Sequence, residues 1–446
     1  MRRSSIIGHA VELLDSIRSS PLPADVLTNE FFRKRHYLGS RDRREISSVV
    51  YGIVRGSILL ETTCRKVFRT LGRGPAEAPS IALFVVFALA GGRESSDSLL
   101  LDAGSLWRMF VPAVTAEEFV QTLLALPRPD EEETDPIRKS ALRYSMPEFA
   151  VRQWYETYGA DQAVRLCASL NEEAPTTIRV NTLRCAPREC REALQAGGIK
   201  YRPTLLSPVG LALEKRINVQ SVGPFRNGWF EMQDEGSQII SYLVGPKPGM
   251  RVVDACAGAG GKTLHLAALM ENRGVILAID DDPQRLQHLG ERMERAGAGI
   301  IRTAVAGEDG GVVASWRQDA DVVLVDAPCS GSGTLRRNPG LKMRLTLPLV
   351  EEMSRLQRSL LDQYAALVRP GGRLVYSTCS LLRQENEEVV QSFALTHPEF
   401  VLGNAGALLA EAGISPIGAG PTISLLPHVH GTDAFFMAVL SRSAQG

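Results

Sequence analysis

From about residue 250 onwards, short runs of Val, Ile and Leu alternate with longer segments in which apolar residues recur at helical spacing. This alternation predicts strands joined by amphipathic helices. The predicted strands are 251–256, 274–280, 299–306, 320–328 and 372–380, and the predicted helices are 262–271, 283–296, 348–369 and 384–397. Strands that are apolar throughout are typical of a parallel sheet covered by helices on both faces. We therefore expect a doubly wound α/β domain over 246–446, and such sheets bind ligands at the carboxyl ends of their strands.

The first 125 or so residues have a different pattern. Apolar residues recur at helical spacing over 44–72, and further apolar stretches follow with few turn signals between them. This predicts a compact all-α domain over 1–130. The sequence LPRPDEEETDP over 126–136 is rich in proline and acidic residues, which predicts a linker at the end of this domain.

A small α+β unit is predicted between these two domains, over 137–245. The segment 176–184 has the composition of a strand, 187–198 that of a helix ended by glycines, and 199–206 that of a second strand.

The balance of 50 basic and 50 acidic residues identifies no partner, but the charge is unevenly distributed. Residues 1–75 hold 14 basic and 7 acidic residues. A basic segment can contact phosphate groups, and a solvated helical surface is an equally good interpretation. The candidate phosphate contacts are Arg33, Lys34, Arg35, Arg41, Arg43 and Arg44.

Cysteine usage and hydropathy indicate a cytoplasmic protein without a membrane segment. The seven cysteines include no Cys-x-x-Cys pair, so neither a disulfide framework nor a metal site is expected. The longest apolar run, 81–90, is about half as long as a bilayer-spanning helix and predicts a buried helix. Glu12 and Asp15 interrupt the apolar stretch behind Arg2 and Arg3, which argues against a signal peptide.

The first predicted strand runs into the glycine-rich sequence DACAGAGGKT, 254–263. Glycines let the backbone approach a ligand, and the amides at the start of the next helix face it, so a nucleotide or nucleoside site is predicted. A phosphate-loop NTPase is a rival interpretation, because Gly261, Lys262 and Thr263 match that loop and VVLVD (322–326) resembles a magnesium-binding strand. Against it, Cys256 occupies the position of the first required glycine.

The second predicted strand ends in AIDDD, 278–282. An acidic side chain at this position, here Asp280, can accept both hydroxyls of a ribose, as in dinucleotide-binding folds. A phosphate loop has no need of such a residue. S-adenosyl-L-methionine, which carries adenosine and no phosphate, therefore fits the pattern better.

Two thiols follow neighbouring predicted strands. Asp326 and Cys329 lie in DAPCSGSG (326–333), and Cys379 lies in YSTCS (376–380). A single cysteine after a buried strand is usually an inert small apolar residue. Two at the carboxyl ends of neighbouring strands, one of them beside an Asp, predict a reactive pair.

These motifs together resemble the NOL1/NOP2/Sun family of RNA cytosine-5 methyltransferases. The resemblance covers about 137–446 and includes RVNTL (179–183), QDEGSQ (233–238), the ENE that follows YSTCS, and DAFFMAVL (433–440), where Ala434 replaces the usual glycine. It implies a Rossmann-like S-adenosyl-L-methionine-dependent methyltransferase sheet. RDRREISSVVYGIVR (41–55) resembles a NusB-like RNA-binding domain.

The resemblance also implies roles for individual residues. Cys379 would be the nucleophile, Cys329 would assist product release, and Asp326 would contact the cytosine edge; the residues alone do not choose between the two thiols. The cofactor loop would comprise Cys256, Ala257, Gly258, Ala259, Gly260, Gly261 and Lys262, with Asp326 beside it. Asp280 would bind the ribose, and Asp309 is favoured over Glu308 as the acidic residue near the adenine.

The expected substrate is a cytosine of 16S rRNA, free or in a small-subunit precursor, because the resemblance to a NusB-like domain favours rRNA. The same chemistry on tRNA or another RNA is the first alternative, and a non-catalytic ribosome assembly factor is the second. Lys342 lies in a loop like the RNA-contacting stretch of the family.

Overall fold

A computed structural model describes residues 2–20, 22–92, 95–414, 417–418 and 420–444. The chain forms two compact units. The first comprises Met1–Glu172 together with Leu335–Thr346, and the second comprises Glu173–Thr334 and Leu347–Gly446.

The first unit is helical throughout its described part. Its helices are α1 (Arg3–Ser19), α2 (Ala24–Arg33), α3 (Ser40–Arg55), α4 (Ser57–Thr70), α5 (Ser80–Ala90), α6 (Ser96–Phe110), α7 (Ala116–Ala125), α8 (Pro129–Glu132), α9 (Pro136–Arg143), α10 (Glu148–Tyr158), α11 (Ala160–Ser169) and a 3₁₀ helix (Pro339–Met343). In α3, buried Ile46, Val50 and Ile53 follow helical spacing. The apolar α5 is buried on nearly all sides, as the run over 81–90 predicts.

The boundaries of this unit differ from the predicted all-α domain over 1–130. Helices α9 to α11 continue the unit to Glu172, and the segment Leu335–Thr346 joins it from a distant part of the sequence. The segment 126–136, predicted to be a linker, contains the short helix α8 and its flanks. Pro129 is the first residue of α8, a position that suits proline.

Lys342 lies in that inserted segment, and its side chain is buried. Its ammonium donates to the backbone oxygen of Arg55 at 2.9 Å, to that of Tyr144 at 3.1 Å and to Asn171 Oδ1 at 2.5 Å. A lysine has three N–H donors, and all three are used inside the first unit. The expectation that Lys342 lies in an RNA-contacting stretch is therefore wrong for its side chain in this structure.

The second unit begins with a small antiparallel sheet of order β2-β3-β1-β4. Its elements are β1 (Thr176–Val180), α12 (Pro187–Ala196), β2 (Tyr201–Pro203), β3 (Gly210–Leu213), a 3₁₀ helix (Val219–Ser221), α13 (Gly223–Arg226), β4 (Phe230–Met232) and α14 (Glu235–Val244). The predicted strand, helix and strand of the small α+β unit are all present, and each is shorter than predicted.

A larger eight-stranded sheet follows, with the order β10-β12-β9-β8-β5-β6-β7 and β11 paired to β12. Its strands are β5 (Arg251–Asp254), β6 (Val275–Asp280), β7 (Ile301–Val305), β8 (Ala320–Asp326), β9 (Val368–Thr378), β10 (Phe400–Leu402), β11 (Thr422–Leu425) and β12 (Phe435–Arg442). The helices are α15 (Gly261–Leu269), α16 (Pro283–Ala296), α17 (Gly310–Ala314), α18 (Leu347–Ala365), α19 (Glu387–Thr396), α20 (Ala405–Glu411) and α21 (Pro427–His430), with 3₁₀ turns at Ser332–Thr334 and Arg383–Glu385.

The five strands predicted from the sequence are the parallel core of this sheet, β7-β6-β5-β8-β9. Successive residues of each strand pack into different cores; Val252 and Leu324 belong to one, whereas Val253 and Val323 belong to the other. A sheet with an apolar core on each face confirms the α/β prediction. Strands β10, β11 and β12 add antiparallel pairs beyond β9. Among the described residues, no helix is both long and apolar enough to cross a membrane.

Candidate active site

The glycine-rich turn joins β5 to α15 at the carboxyl end of the sheet. Gly258 and Gly260 have φ angles of +54° and +82°, which favour glycine. A β-carbon on Gly260 would lie 2.1 Å from Leu289 Cδ1, whereas the space beside Gly258 is open. The turn therefore presents backbone and the first amides of α15 to an open space.

Asp280 ends β6, as predicted, and its carboxylate contacts the glycine-rich turn. Its Oδ2 accepts a hydrogen bond from the Gly258 amide at 2.7 Å, and its Oδ1 accepts one from the Asp282 amide at 3.1 Å. The Asp280 side chain is 5% exposed, whereas that of Asp281 is 86% exposed. Of the two acidic residues, only Asp280 lies against the glycine-rich turn.

The two candidates for the adenine-side contact follow β7, the strand next to β6. Asp309 is half-buried, and its Oδ2 accepts a hydrogen bond from the Val305 amide at 2.8 Å. Glu308 is exposed. Asp309 thus closes the loop behind β7, with its carboxylate at the carboxyl end of the sheet.

Lys262 and Asp326 form an ion pair between the glycine-rich turn and the end of β8. Their Nζ and Oδ2 atoms are 2.5 Å apart, and the Ser377 hydroxyl donates to Asp326 Oδ1 at 2.7 Å. Burial opposes the charge of Lys262, but the carboxylate of Asp326 outweighs it and raises the pKa of the lysine. Lys262 was expected in the cofactor loop, and its pairing with Asp326 was not predicted. A lysine engaged in this way also disfavours the phosphate-loop interpretation, in which it must bind phosphate.

The two predicted thiols meet at the ends of β8 and β9. Because these parallel strands pair Asp326 with Ser377, the residues that follow them lie side by side. The Sγ atoms of Cys329 and Cys379 are 3.3 Å apart, and both residues are half-buried. The hydrogen bond to Cys379 and burial raise the pKa of Cys329 well above its usual value.

A buried carboxylate joins the loops that carry these thiols. Glu385 accepts hydrogen bonds from the backbone amide and hydroxyl of Ser330 and from the hydroxyl of Ser380. These serines directly follow Cys329 and Cys379. Glu385 lies in the ENE motif that contributes to the family resemblance, and no role was predicted for it.

The other cysteines have different surroundings. Cys64, Cys167, Cys185 and Cys190 are buried, and Cys256 in the glycine-rich turn is half-buried. Burial raises the pKa of Cys256, so it is a poor nucleophile. In the described part of the chain, no group of three or more His, Cys, Asp or Glu residues is arranged to hold a metal ion.

Of the six candidate phosphate contacts in the first unit, four are exposed: Arg33, Lys34, Arg41 and Arg44. The guanidinium of Arg35 lies 3.7 Å from the ring centre of Phe31 and pairs with Glu12. Arg43 Nε donates to the backbone oxygen of Leu38 at 2.8 Å. Arg35 and Arg43 therefore stabilise the helical unit itself, and the exposed four remain candidates for RNA contacts.

The residues at the carboxyl end of the large sheet fit S-adenosyl-L-methionine. The open space beside Gly258 admits a ligand, the amides at the start of α15 suit its carboxylate, and Asp280 suits hydroxyl groups. These features and the topology define a class, the S-adenosyl-L-methionine-dependent methyltransferases with a Rossmann-like sheet.

Comparisons with known proteins identify the family. Residues 241–441 match the model of the family described as 16S rRNA methyltransferase RsmB/F, and residues 146–220 match the ferredoxin-like domain of RsmF/B-like methyltransferases. The probable ribosomal RNA small subunit methyltransferase B of Bacillus subtilis is 32% identical over 69% of this chain and 69% of its own length. The enzyme of that name from Pseudomonas syringae pv. tomato is 32% identical over 70% of this chain and 68% of its own.

Solved structures agree with this assignment. The crystal structure of PH0851 has a TM-score of 0.77, is 27% identical and covers 99% of both chains. A methyltransferase homolog from Pyrococcus horikoshii has a TM-score of 0.59, is 28% identical, and covers 70% of this chain and 100% of its own. The chain belongs to the RsmB/Sun family of RNA methyltransferases, and its cofactor is S-adenosyl-L-methionine.

Proposed function

We propose that this protein methylates carbon 5 of a cytosine in 16S rRNA through a covalent cysteine–cytosine intermediate. The observation that carries the proposal is the 3.3 Å separation of the Cys329 and Cys379 sulfur atoms, beside the Lys262–Asp326 pair. The substrate is supported by the family description and by relatives named as small-subunit rRNA methyltransferases.

The chemistry requires a thiol because carbon 5 of cytosine is a poor nucleophile. A thiolate that adds to carbon 6 forms an S–C6 bond and converts the ring into an enamine, whose carbon 5 is nucleophilic. S-adenosyl-L-methionine supplies an electrophilic methyl group when bound. After transfer, water takes the proton from carbon 5, the electrons of the C5–H bond restore the ring double bond, and the S–C6 bond breaks with its electron pair to release the enzyme thiolate.

We assign the attack to Cys379. The family pattern favours it, and Lys262 lies nearby. Burial opposes the charge of Lys262, but Asp326 and, to a smaller extent, Cys379 raise its pKa, so a buried cation lies close to the Cys379 sulfur. Cys329 supplies the second thiol. Its S–H lies within hydrogen-bonding distance of the Cys379 sulfur and can stabilise that sulfur as it leaves carbon 6.

Asp326 is assigned to the edge of the cytosine. Lys262 and Ser377 hold its two oxygen atoms, and its side chain is 25% exposed, so a base can reach it at the carboxyl end of β8. A base must leave its stack to enter such a site, so the target cytosine should lie in a loop or a distorted helix. For the cofactor, the turn over 256–262, Asp280 and Asp309 remain the proposed contacts.

The assignment of the thiols can be tested with single variants incubated with S-adenosyl-L-methionine and 16S rRNA. Cys379→Ala should form neither product nor adduct. Cys329→Ala should attack and transfer the methyl group but accumulate a protein–RNA adduct, visible as a slow band in denaturing electrophoresis. Cys185→Ala is the control and should behave as wild type. An adduct from Cys379→Ala alone would reverse the two roles.

The RNA substrate can be tested by bisulfite sequencing of total RNA from a strain that lacks the gene. Loss of one modified cytosine in 16S rRNA, restored by the wild-type gene and not by Cys379→Ala, is the expected result. Loss of a site in tRNA would point to the first alternative. An unchanged pattern in all RNAs would favour the non-catalytic assembly factor.

A further inference from the structure

We propose that Glu385 is a positioning residue of this reaction, which ties the Cys329 loop to the Cys379 loop and places a negative charge beside Cys329. The inference deepens the proposed function and rests on it for the roles of the thiols. The side chain of Glu385 is 0% exposed, and the sequence predicts no role for this residue.

Glu385 is bound to the Cys329 loop through Ser330, the residue after Cys329. The Ser330 amide donates to Glu385 Oε1 at 2.6 Å, and the Ser330 hydroxyl donates to Oε2 at 2.5 Å. The amide of Gln357 donates to Oε1 at 3.3 Å and to the backbone oxygen of Pro328 at 2.9 Å. Residues on both sides of Cys329 are thus fixed relative to one carboxylate.

The same carboxylate holds the Cys379 loop. The Ser380 hydroxyl donates to Glu385 Oε2, and its oxygen also lies 3.1 Å from Ser332 Oγ in the Cys329 loop. The Tyr376 hydroxyl donates to the backbone oxygen of Glu385 at 2.5 Å, which anchors the residue to β9. Glu385 therefore connects, by hydrogen bonds, the residue that follows each thiol.

The carboxylate of Glu385 also acts on Cys329 electrostatically. The pKa of Cys329 is raised first by its hydrogen bond with Cys379 and by burial, and then by the charges of Cys379 and Glu385. Because the hydrogen bonds described above hold Glu385 in place, its charge favours the protonated form of Cys329 and keeps the S–H that the proposed role of Cys329 uses.

The test is Glu385→Gln, which retains the size of the side chain and removes its charge, with Glu388→Gln as the matched control on α19. The rate of alkylation of Cys329 by iodoacetamide is measured against pH in a Cys379→Ser background, with each site identified by mass spectrometry. Removal of the Glu385 charge lowers the pKa of Cys329 and increases the fraction of reactive thiolate. We expect alkylation near pH 8 to be at least about threefold faster in Glu385→Gln and to change less than about twofold in Glu388→Gln. Equal or slower alkylation in Glu385→Gln would overturn the inference.

A second variant covers the case in which Glu385→Gln does not fold. Ser380→Ala retains the charge and removes one tie between the loops. It should leave the alkylation profile of Cys329 unchanged and reduce kcat for methylation by about tenfold, with the KM for S-adenosyl-L-methionine within twofold of wild type. An unchanged kcat would refute the positioning role. Alkylation requires neither RNA nor methyl transfer, so its outcome is independent of the adduct assay that tests the proposed function.

Discussion

The ammonium of Lys262 and the carboxylate of Asp326 lie 2.5 Å apart and join the glycine-rich turn after β5 to the thiol-bearing loop after β8. The Lys262 side chain is 12% exposed, so water has little access to the ammonium group of this pair. Lys262 in the glycine-rich turn therefore contacts the loop that carries Cys329, and one ion pair connects the proposed cofactor loop to the proposed thiol site.

Replacement of Lys262 should affect catalysis more than cofactor binding. Lys262→Met removes the cation beside Asp326 and Cys379, and loss of one such preorganised group typically costs about 100-fold in rate. We expect kcat for methylation to fall by about that factor, with S-adenosyl-L-methionine affinity changed less than about tenfold. Lys247→Met, an exposed lysine near the amino end of β5, is the control. Full activity of Lys262→Met would remove this pair from the mechanism.

Replacement of Asp280 should weaken cofactor binding. Asp280→Ala removes a buried acceptor from the glycine-rich turn and the proposed ribose contact, at a cost of about 1–3 kcal/mol. Calorimetry should show a Kd for S-adenosyl-L-methionine raised by about 5- to 150-fold. The neighbouring Asp281→Ala, whose side chain is exposed, should bind normally. If both variants bind equally well, the ribose contact lies elsewhere.

The stability of the protein should depend on the ionisation of Asp254. Burial raises the pKa of this carboxyl to about 6, and its Oδ2 accepts the Thr263 hydroxyl at 2.7 Å. The folded state therefore holds the proton to higher pH than the unfolded state, so stability is lost as pH rises from about 4 to about 6. Two pKa units correspond to about 3 kcal/mol.

Urea denaturation of Asp254→Asn against wild type between pH 4 and 7.5 tests this dependence. As pH rises over that range, the wild type should lose about 3 kcal/mol of its free energy of unfolding relative to the variant, because Asn has no proton to lose. Asp281→Asn, which is exposed, should track wild type at every pH. A parallel course for Asp254→Asn would mean that Asp254 has an ordinary pKa.

Loss of the Lys342 ammonium should destabilise the helical unit. Lys342→Met leaves acceptors on Arg55, Tyr144 and Asn171 without their donor, and each unsatisfied buried group costs about 1–3 kcal/mol. Chemical denaturation should show a loss of at least about 2 kcal/mol. Lys34→Met, which removes an exposed pair with Glu30 on α2, should leave the free energy of unfolding close to that of wild type. Wild-type stability for Lys342→Met would contradict this account.

Much of this fold could be predicted because its main signals are local. Strands such as β6 and helices such as α16 follow from apolar periodicity and capping within a short window, and the predicted helix over 283–296 matches α16 at both ends. Asp280 and the two thiols could be placed because the carboxyl ends of parallel strands meet at one edge.

The remainder depends on contacts that no local pattern encodes. Lys262 is 64 residues from Asp326, and its partner is decided by the direction of two side chains after the sheet has formed. The sequence predicts Glu385 as a polar residue in the helix over 384–397, and only the packed loops reveal its contacts to Ser330 and Ser380. The expectation for Lys342 came from the resemblance of its loop to an RNA-contacting stretch of the family, which does not encode the buried contacts of its side chain.

The inserted segment Leu335–Thr346 has a consequence for dividing this protein into pieces. Because the chain passes between the two compact units after Glu172, before Leu335 and after Thr346, no single cut yields one fragment per unit. A nick after Glu172 would leave Leu335–Thr346 on the larger fragment, still packed among the helices of the smaller one through Lys342. We therefore expect the nicked protein to elute as one species in native chromatography, and a gene split at that point to yield halves that reassemble only when they are expressed together.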